Sequence, residues 1–335
     1  MTLKLAINGF GRIGRNILRA LCEDGRDDIE IIAINDPAPT ETLAHLFEFD
    51  SFHGRFSGSV ETDGDSLIVN GKHIAVSHLD HPSQLRWSEV DIALECSGHF
   101  TALDAAREHL KNGSTRVLLS APAKGDMPTL VYGVNNEVIA GDHLLVSNGS
   151  CTTNCLVPVA HVLHEAFEIQ HGMMTTVHSY TGNQPTHDAP HADLYRARAA
   201  ALSMIPTSTG AAETLGLVLP DLAGKITGHA IRVPCPNVSC VDLCVEVRDT
   251  VTADQVNQAF EKAAQTTLKG VVSTTSRKLV SMDFAHHPDS AVVATDQTRV
   301  QSGKMVRVLA WYDNEWGFSN RMLDAARLMG RQLSA

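Results

Sequence analysis

Three glycines, Gly9, Gly11 and Gly14, stand between an apolar run at Lys4–Ile7 and a helically spaced apolar run at Ile13–Glu23. That order dictates a strand, a tight turn and a helix in direct succession. The first glycine permits the turn, the second lets backbone approach a bound group, and the third lets the helix pack on the strand. A second apolar run, Ile29–Ile34, is followed by Asn35-Asp36, with Asp36 lying 22 residues past Gly14. An acidic residue at that point completes the strand–helix–strand unit of a dinucleotide-binding fold. The helix start offers N–H groups and a partial positive charge to a pyrophosphate. Asp36 is placed to accept hydrogen bonds from a ribose 2′-hydroxyl and to repel a 2′-phosphate, which favours NAD over NADP. Arg12, inside the turn, is either a phosphate contact or a solvated side chain.

The pattern continues with strands expected at Ser66–Val69, His73–Val76, Ile92–Glu95, Arg116–Ser120, Thr129–Tyr132 and Leu144–Ser147, and a helix at Ala102–Asn112. Residues 1–150 thus read as an α/β domain with a doubly wound, Rossmann-type parallel sheet. From about Met173 the texture changes to longer strands, at 173–180, 229–247 and 305–313, with helices near Ala211–Val218 and Ala253–Thr266. Such runs of strands predict an α+β catalytic domain with a largely antiparallel sheet over residues 151–317. A helix over 318–335, apolar on one face, is expected to dock back and complete the first domain.

Charge excludes several partners. The chain has 27 Lys and Arg against 38 Asp and Glu, a net charge of −11, so polyanions are repelled and neither nucleic acid nor an acidic membrane is a main partner. Any phosphate must be gripped locally. No apolar run approaches the ~20 residues of a membrane helix, and the opening residues lack the pattern of a secretory leader, so the expected location is the cytoplasm. Seven cysteines, without a CxxC pair, suit neither a disulfide framework nor a zinc site. With no HExxH spacing either, no metal is expected.

Cysteine chemistry is the alternative, and the segment Ser147-Asn148-Gly149-Ser150-Cys151-Thr152-Thr153-Asn154-Cys155 places a thiol in the first turn of a predicted helix. The positive helix end lowers the pKa of such a thiol and populates the nucleophilic thiolate. The polar residues around Cys151 argue against burial in apolar surroundings, whereas Cys155, one turn on, reads as structural. Pro158 predicts a kink. His178 ends the next predicted strand, 27 residues beyond Cys151, so helix and return strand bring a Cys/His pair to one sheet edge. Arg196, Arg198, the run Thr207-Ser208-Thr209-Gly210 and Arg232 are candidate anion grips. A dinucleotide fold, an activated thiol, a histidine and anion grips together point to oxidation of a phosphorylated aldehyde through a thioester. Thiolate addition supplies the sp³ carbon from which hydride can leave, with the oxyanion held by the Cys151 N–H and a protonated His178.

The segments INGFGRIGR, SNGSCTTNC, TTVHSYTGNQ, RARAA, PTSTGAA, RVPCPNVS and WYDNEWGFSNR, in that order from about residue 3 to residue 330, resemble the glyceraldehyde-3-phosphate dehydrogenase family. The resemblance implies NAD-dependent phosphorylating oxidation of glyceraldehyde 3-phosphate to 1,3-bisphosphoglycerate by a cytoplasmic homotetramer. It implies Cys151 as nucleophile and His178 as the base that activates it and takes the proton during hydride transfer. The motif glycines Gly9, Gly11 and Gly14 together with Arg12, Ile13, Asp36 and Ser120 match positions holding the cofactor's adenosine and phosphates, and Asn314 the one orienting the nicotinamide. Thr181 and Arg232 resemble the substrate-phosphate site. Ser150, Thr152, Thr209 and Gly210 resemble the inorganic-phosphate site, with Arg196 between the two, and the stretch from Tyr180 to about Ser203 resembles a loop reaching a neighbouring subunit's cofactor pocket. The chain departs from the family pattern at Gly149, usually Ala, at Leu79, often basic, at Asn183, often Asp or Thr, and at Ala189 before Pro190. The segment from Leu279 to Val300 is also similar to erythrose-4-phosphate dehydrogenase, the alternative activity, against which the Thr209-Gly210 pair argues.

Overall fold

The computed structural model describes residues 2–140 and 143–333. They form two compact units, one from 2–130, 135–140, 143–150 and 319–333, the other from 131–134 and 151–318. Val131–Val134 fell within the first domain by sequence, but Val131 packs into the second unit's core, as do Tyr132 and Val134 at its edge. The outer residues 334–335 of the expected terminal helix lie outside the described residues.

The first unit is built on an eight-stranded sheet, in spatial order Leu145–Ser147, Arg116–Leu119, Ile92–Glu95, Leu3–Asn8, Ile29–Asn35, Lys72–Ser77, Ser66–Val69, Val60–Thr62. The first six are parallel and the last two add as antiparallel strands. The central parallel strands are apolar at successive positions, and Leu5–Ile7, Ile92–Leu94 and Val117–Leu119 are all buried, as strands covered on both faces must be. The chain runs outward from Leu3–Asn8 on one side and returns on the other with Ile92–Glu95. The strand order therefore reverses at Asn8, where parallel sheets leave a crevice for ligands.

Two expectations fail here, and one helix was not foreseen. Thr129–Tyr132 forms a single bridge, Thr129 to Ser147, rather than a strand. The Ala102–Asn112 helix is two single turns, Leu103–Ala106 and Glu108–Lys111, separated at Arg107, whose carbonyl accepts the Leu110 N–H in a tighter i→i+3 bond of 3.1 Å. A helix over Thr40–Glu48 has no counterpart in the sequence reading.

The second unit has a sheet in the order Ile205–Thr207, Ile226–Val233, Ile169–Ser179, Ser239–Val247, Met305–Tyr312, Ala291–Ala294, Val272–Thr275, with Arg299–Gln301 also paired to Met305–Tyr312. It is largely antiparallel, the parallel pairs being Ile169–Ser179 with Ile226–Val233 and Val272–Thr275 with Ala291–Ala294. The predicted long run over 229–247 breaks around Pro234 and Pro236 into two strands. Alternate residues Val306, Val308, Ala310 and Tyr312 point into the core formed with the helices Cys151–Phe167 and Ala253–Gln265. The first of these helices runs unbroken through Pro158. Burial of Leu156, Val157, Val159, Ala160 and Leu163 on this helix outweighs the one N–H that proline removes. The last helix, Trp316–Arg331, begins two residues earlier than expected because the Asp313 carboxylate accepts the Glu315 and Trp316 N–H groups at 2.9 and 2.8 Å.

Candidate active site

The glycine turn is assembled as its spacing requires. Gly9 has φ +93°, and a Cβ there would lie 2.5 Å from the Ser97 backbone; a Cβ on Gly14 would lie 2.3 Å from the Gly9 carbonyl oxygen. A Cβ on Gly11, by contrast, meets no protein atom within 4 Å, so the helix Arg12–Asp24 starts at an open backbone surface with no side chain capping it. Asn8, Gly9, Gly11, Asn35, Asp36, Leu79, Ser97 and neighbouring residues line a cleft of about 390 Å³ at the strand-order reversal. The Asp36 carboxylate is held at its lip by the N–H groups of Phe10 and Ala38, at 2.9 and 3.0 Å. Ser120 follows its strand directly, its N–H donating to the Glu95 carbonyl at 3.0 Å. Open backbone, a helix start and an oriented carboxylate fit a dinucleotide.

Arg12 is paired rather than simply solvated. Its guanidinium pairs with the buried Asp50 carboxylate and lies 4.8 Å from the centre of the Phe52 ring. Burial raises the Asp50 pKa, but the Arg12 bond and the N–H groups of Phe52 and His53 outweigh it and hold the carboxyl at about 2. Beside that guanidinium, the segment presents the start of the helix at Arg12 and Ile13.

In the second unit the helix Cys151–Phe167 and the strand Ile169–Ser179 bring Cys151 Sγ to 3.5 Å from His178 Nε2. Gly149, two residues before the thiol, has φ +65°, a left-handed conformation that glycine adopts without the strain of a Cβ. The thiol's electrostatics correct the expectation. Thr152, Thr153 and Asn154 are themselves buried, and burial pushes the Cys151 pKa up, against the lowering effects of Arg232 and the local hydrogen bonds. Cys151 itself is part-buried at the start of that turn. Burial also pushes the Cys155 thiol well up, inside the core, in keeping with its structural reading.

His178 is buried, and burial together with the Arg232 charge lowers its pKa to about 3. The resting ring is thus neutral, the form in which it can take a proton. Its Nδ1 lies 2.7 Å from the Ser179 carbonyl oxygen and 2.8 Å from Arg232 Nη1, which itself donates to that carbonyl at 2.8 Å. The register explains the contact, since His178 and Arg232 are partners on adjacent parallel strands.

Around this pair the predicted grips fall into two groups. Arg196 donates from Nε to Thr207 Oγ1 at 2.8 Å, which ties it to the run leading into Thr209 and Gly210, and its charge is close enough to lower the Arg232 pKa further below what burial does. Gly210 starts the helix Ala211–Val218 without a side-chain cap, while Thr209 Oγ1 accepts the Ala211 N–H at 3.3 Å. Thr181 donates to Asn183 Oδ1 at 2.7 Å, so the departure at Asn183 engages the neighbouring hydroxyl. Thr152 is different: its side chain points inward, with Oγ1 2.9 Å from the Tyr312 hydroxyl. Ser150 is half-buried directly ahead of the helix, and Arg198 is drawn away to Asp188 at 2.9 Å.

Asn314 is oriented by two hydroxyls, Ser179 Oγ and Ser239 Oγ, which donate to its Oδ1 at 2.9 and 3.1 Å. With the oxygen so occupied, the remaining hydrogen-bonding group of the amide is its NH₂, a donor.

Residues 3–103 match the profile of the glyceraldehyde 3-phosphate dehydrogenase NAD binding domain, and residues 150–314 that of the C-terminal domain of the same enzyme. Glyceraldehyde-3-phosphate dehydrogenase of Cereibacter sphaeroides is 58% identical over 333 residues, covering 99% of this chain and 100% of the relative. The enzyme of that name from Xanthobacter flavus is 57% identical over 333 residues, 99% of each chain, and glyceraldehyde-3-phosphate dehydrogenase 2 of Bacillus subtilis is 50% identical over 330 residues, 98% of this chain and 96% of the relative. The chain belongs to the glyceraldehyde-3-phosphate dehydrogenase family. It is an NAD-dependent dehydrogenase, with NAD as its cofactor.

For a member of this family, the residue that sequence reasoning passed over is Tyr312. Its hydroxyl lies 2.9 Å from both Thr152 Oγ1 and Thr176 Oγ1, and its ring meets His178 edge-on at 5.9 Å between centres. The signal was available: alternation along Met305–Tyr312 puts Tyr312 on the inward face, where a phenol needs a polar partner. Ser179 and Ser239 carried no comparable signal. Among the described residues no helix is long and apolar enough to cross a membrane, and no group of three His, Cys, Asp or Glu side chains is placed to hold a metal ion.

Proposed function

We propose that the chain oxidises glyceraldehyde 3-phosphate to 1,3-bisphosphoglycerate, using NAD and inorganic phosphate, through covalent chemistry on Cys151. The observation that carries this reading is Cys151 Sγ at 3.5 Å from His178 Nε2, with Arg232 against His178 and Arg196 within electrostatic range of Arg232. With the Arg232 Nη1 hydrogen turned to the Ser179 carbonyl at 2.8 Å and the His178 proton on Nδ1 directed to that carbonyl at 2.7 Å, Nε2 is the basic atom facing the thiol. The thiol proton passes to Nε2 as sulfur adds to the aldehyde carbon, and its return to the oxyanion gives a thiohemiacetal. Nε2 then takes the hydroxyl proton as hydride leaves the same carbon, which leaves a thioester on Cys151. NAD, when bound, supplies the hydride acceptor, and Asn314 is the residue to hold its carboxamide. An oxygen of inorganic phosphate attacks the thioester carbonyl, the C–S bond breaks, and the acyl phosphate departs from the regenerated thiolate.

The two phosphate positions follow the same reading: Arg232 and Thr181 for the substrate, and Ser150, Thr209 and Gly210 for inorganic phosphate, with Arg196 between them. Thr152 contributes there through its backbone, since its hydroxyl is engaged by Tyr312. A cytoplasmic homotetramer completes the proposal. Its support is the apolar exposure of Leu194, Tyr195, Leu202 and Met204, within or just after the stretch from Tyr180 to about Ser203 that resembles the subunit-crossing loop.

The test is NADH formation at 340 nm with glyceraldehyde 3-phosphate, with and without inorganic phosphate, repeated with erythrose 4-phosphate. Phosphate-dependent turnover that favours the triose and is lost in Cys151→Ser supports the proposal. Preference for the tetrose, or turnover indifferent to phosphate, assigns the chain to the erythrose-4-phosphate activity instead.

A further inference from the structure

Under the floor of the first unit's cleft runs a buried polar chain that the reaction steps leave unused. Glu95 ends the strand Ile92–Glu95 and is 2% exposed, and His109 is fully buried. Trp87 Nε1 donates to His109 Nδ1 at 2.8 Å, and since an indole N–H only donates, the imidazole proton sits on Nε2. That Nε2–H donates to Glu95 Oε2 at 2.9 Å. Asn8 Nδ2 donates to the same oxygen at 2.6 Å, while the Ser97 N–H donates to Oε1 at 2.8 Å, joined there by the Ser97 hydroxyl. Four donors converge on one carboxyl group, which is the acceptor pattern of a carboxylate and leaves it no role as a donor.

The carboxylate dictates what lies beyond it. Asn8, with its NH₂ turned to Glu95, accepts Asn35 Nδ2 on its own oxygen at 2.8 Å. Asn35 in turn accepts the Ser77 hydroxyl at 2.8 Å and the Leu79 N–H at 3.0 Å, and donates to the Leu79 carbonyl at 2.9 Å. The chain stitches together the C-terminal ends of four neighbouring strands, those ending at Glu95, Asn8, Asn35 and Ser77. Asn8, Asn35, Leu79 and Ser97 line the cleft beside Gly9 and Asp36. Gly9 is packed so closely on the Ser97 backbone that a Cβ there would lie 2.5 Å from it.

We infer that Glu95 is a positioning residue for NAD, holding the cleft wall through Asn8, Asn35 and Ser97, with His109 and Trp87 as its buried brace. The inference rests on this cleft being the NAD site. Glu95→Gln preserves volume but, in either orientation of its amide, sets an NH₂ against an N–H that can only donate, that of His109 Nε2 or of the Ser97 backbone. Trp87→Phe removes the donor that fixes the His109 ring, and Trp87 is not among the cleft-lining residues.

Both variants are compared with the intact enzyme by calorimetric titration with NAD, steady-state kinetics, thermal melting and the rate of Cys151 alkylation by iodoacetamide. Glu95→Gln is expected to raise the NAD Kd by about ten-fold or more, and Trp87→Phe by a few-fold, the range for disturbing buried charge-assisted hydrogen bonds. At saturating NAD, kcat stays within about two-fold of the parent, because the reacting groups are untouched, and the alkylation rate is unchanged. An NAD Kd equal to the parent's in folded Glu95→Gln, whatever its melting temperature, overturns the inference and makes the network structural only. A kcat that collapses at saturating NAD overturns it as well. If Glu95→Gln does not fold, folded Trp87→Phe decides by the same criterion. Absence of NAD binding to the parent enzyme at this cleft would instead remove the reading beneath the inference.

Discussion

Two glycines of the same turn are expected to fail in opposite ways when replaced by alanine. Gly11 has φ −72° and ψ −156°, a conformation alanine adopts, and its new methyl would meet no protein atom within 4 Å. Gly11→Ala should therefore leave the cofactor-free protein as stable as the parent, or more stable by about 0.4–1 kcal/mol through loss of unfolded-state freedom. The open space is where a pyrophosphate approaches backbone, so the methyl costs binding instead. An overpacking penalty of about 1–3 kcal/mol corresponds to roughly 5- to 150-fold in NAD affinity. At Gly14 a Cβ falls 2.3 Å from the Gly9 carbonyl oxygen and 3.1 Å from Ile7 Cγ2. Only backbone movement relieves the first contact, so Gly14→Ala should lose about 1–3 kcal/mol of stability before any ligand is added. Melting without NAD should separate the two by several degrees, since about 2–4 °C accompanies each kcal/mol in a chain of this size. Titration with NAD should find Gly11→Ala impaired although fully folded. The reasoning is refuted if Gly11→Ala binds NAD within two-fold of the parent, or if it melts below Gly14→Ala.

Tyr312→Phe removes the hydroxyl shared by Thr152 and Thr176, which are buried and have Oγ1 at 2.9 Å from it; a loss of about 1–3 kcal/mol is expected in denaturant unfolding, and an unchanged midpoint would contradict it. Acid stability should carry a His178 signature. The folded ring titrates at about 3 against an ordinary 6.5, so between these values the unfolded chain binds the extra proton and stability falls as the pH is lowered. His178→Asn should flatten the denaturation midpoint across that window. Asp50, held at about 2 against an ordinary 3.8, contributes stability that is present above the ordinary value and lost as the pH drops through the lower one. Asp50→Asn should be destabilised at neutral pH and converge on the parent near pH 2, as judged by circular dichroism melts.

Much of this protein was determined by local sequence. The glycine triplet, the apolar strand before it and Asp36 beyond the next strand dictate a dinucleotide unit because each rests on short-range geometry: a positive φ at Gly9, a contact that admits no Cβ at Gly14, and an alternation that buries whole strands. The Cys151 helix and the strand ending at His178 were legible for the same reason, as were the inward positions of Met305–Tyr312. What tertiary structure decided is the charge and partnership of those groups. Cys151 begins a helix, but the packing around it pushes its thiol pKa up, against Arg232 and the local hydrogen bonds. His178 became a neutral ring because the fold buries it and, second, because a parallel register sets Arg232 against it, a pairing made between strands some fifty residues apart in sequence. Arg12, adjacent to the glycines, is claimed by Asp50, and Thr152, adjacent to the thiol, by Tyr312. Local patterns specify which backbone conformations are allowed and which faces are apolar; protonation and hydrogen-bond partners depend on burial and on neighbours brought from afar, and only the folded chain supplies those.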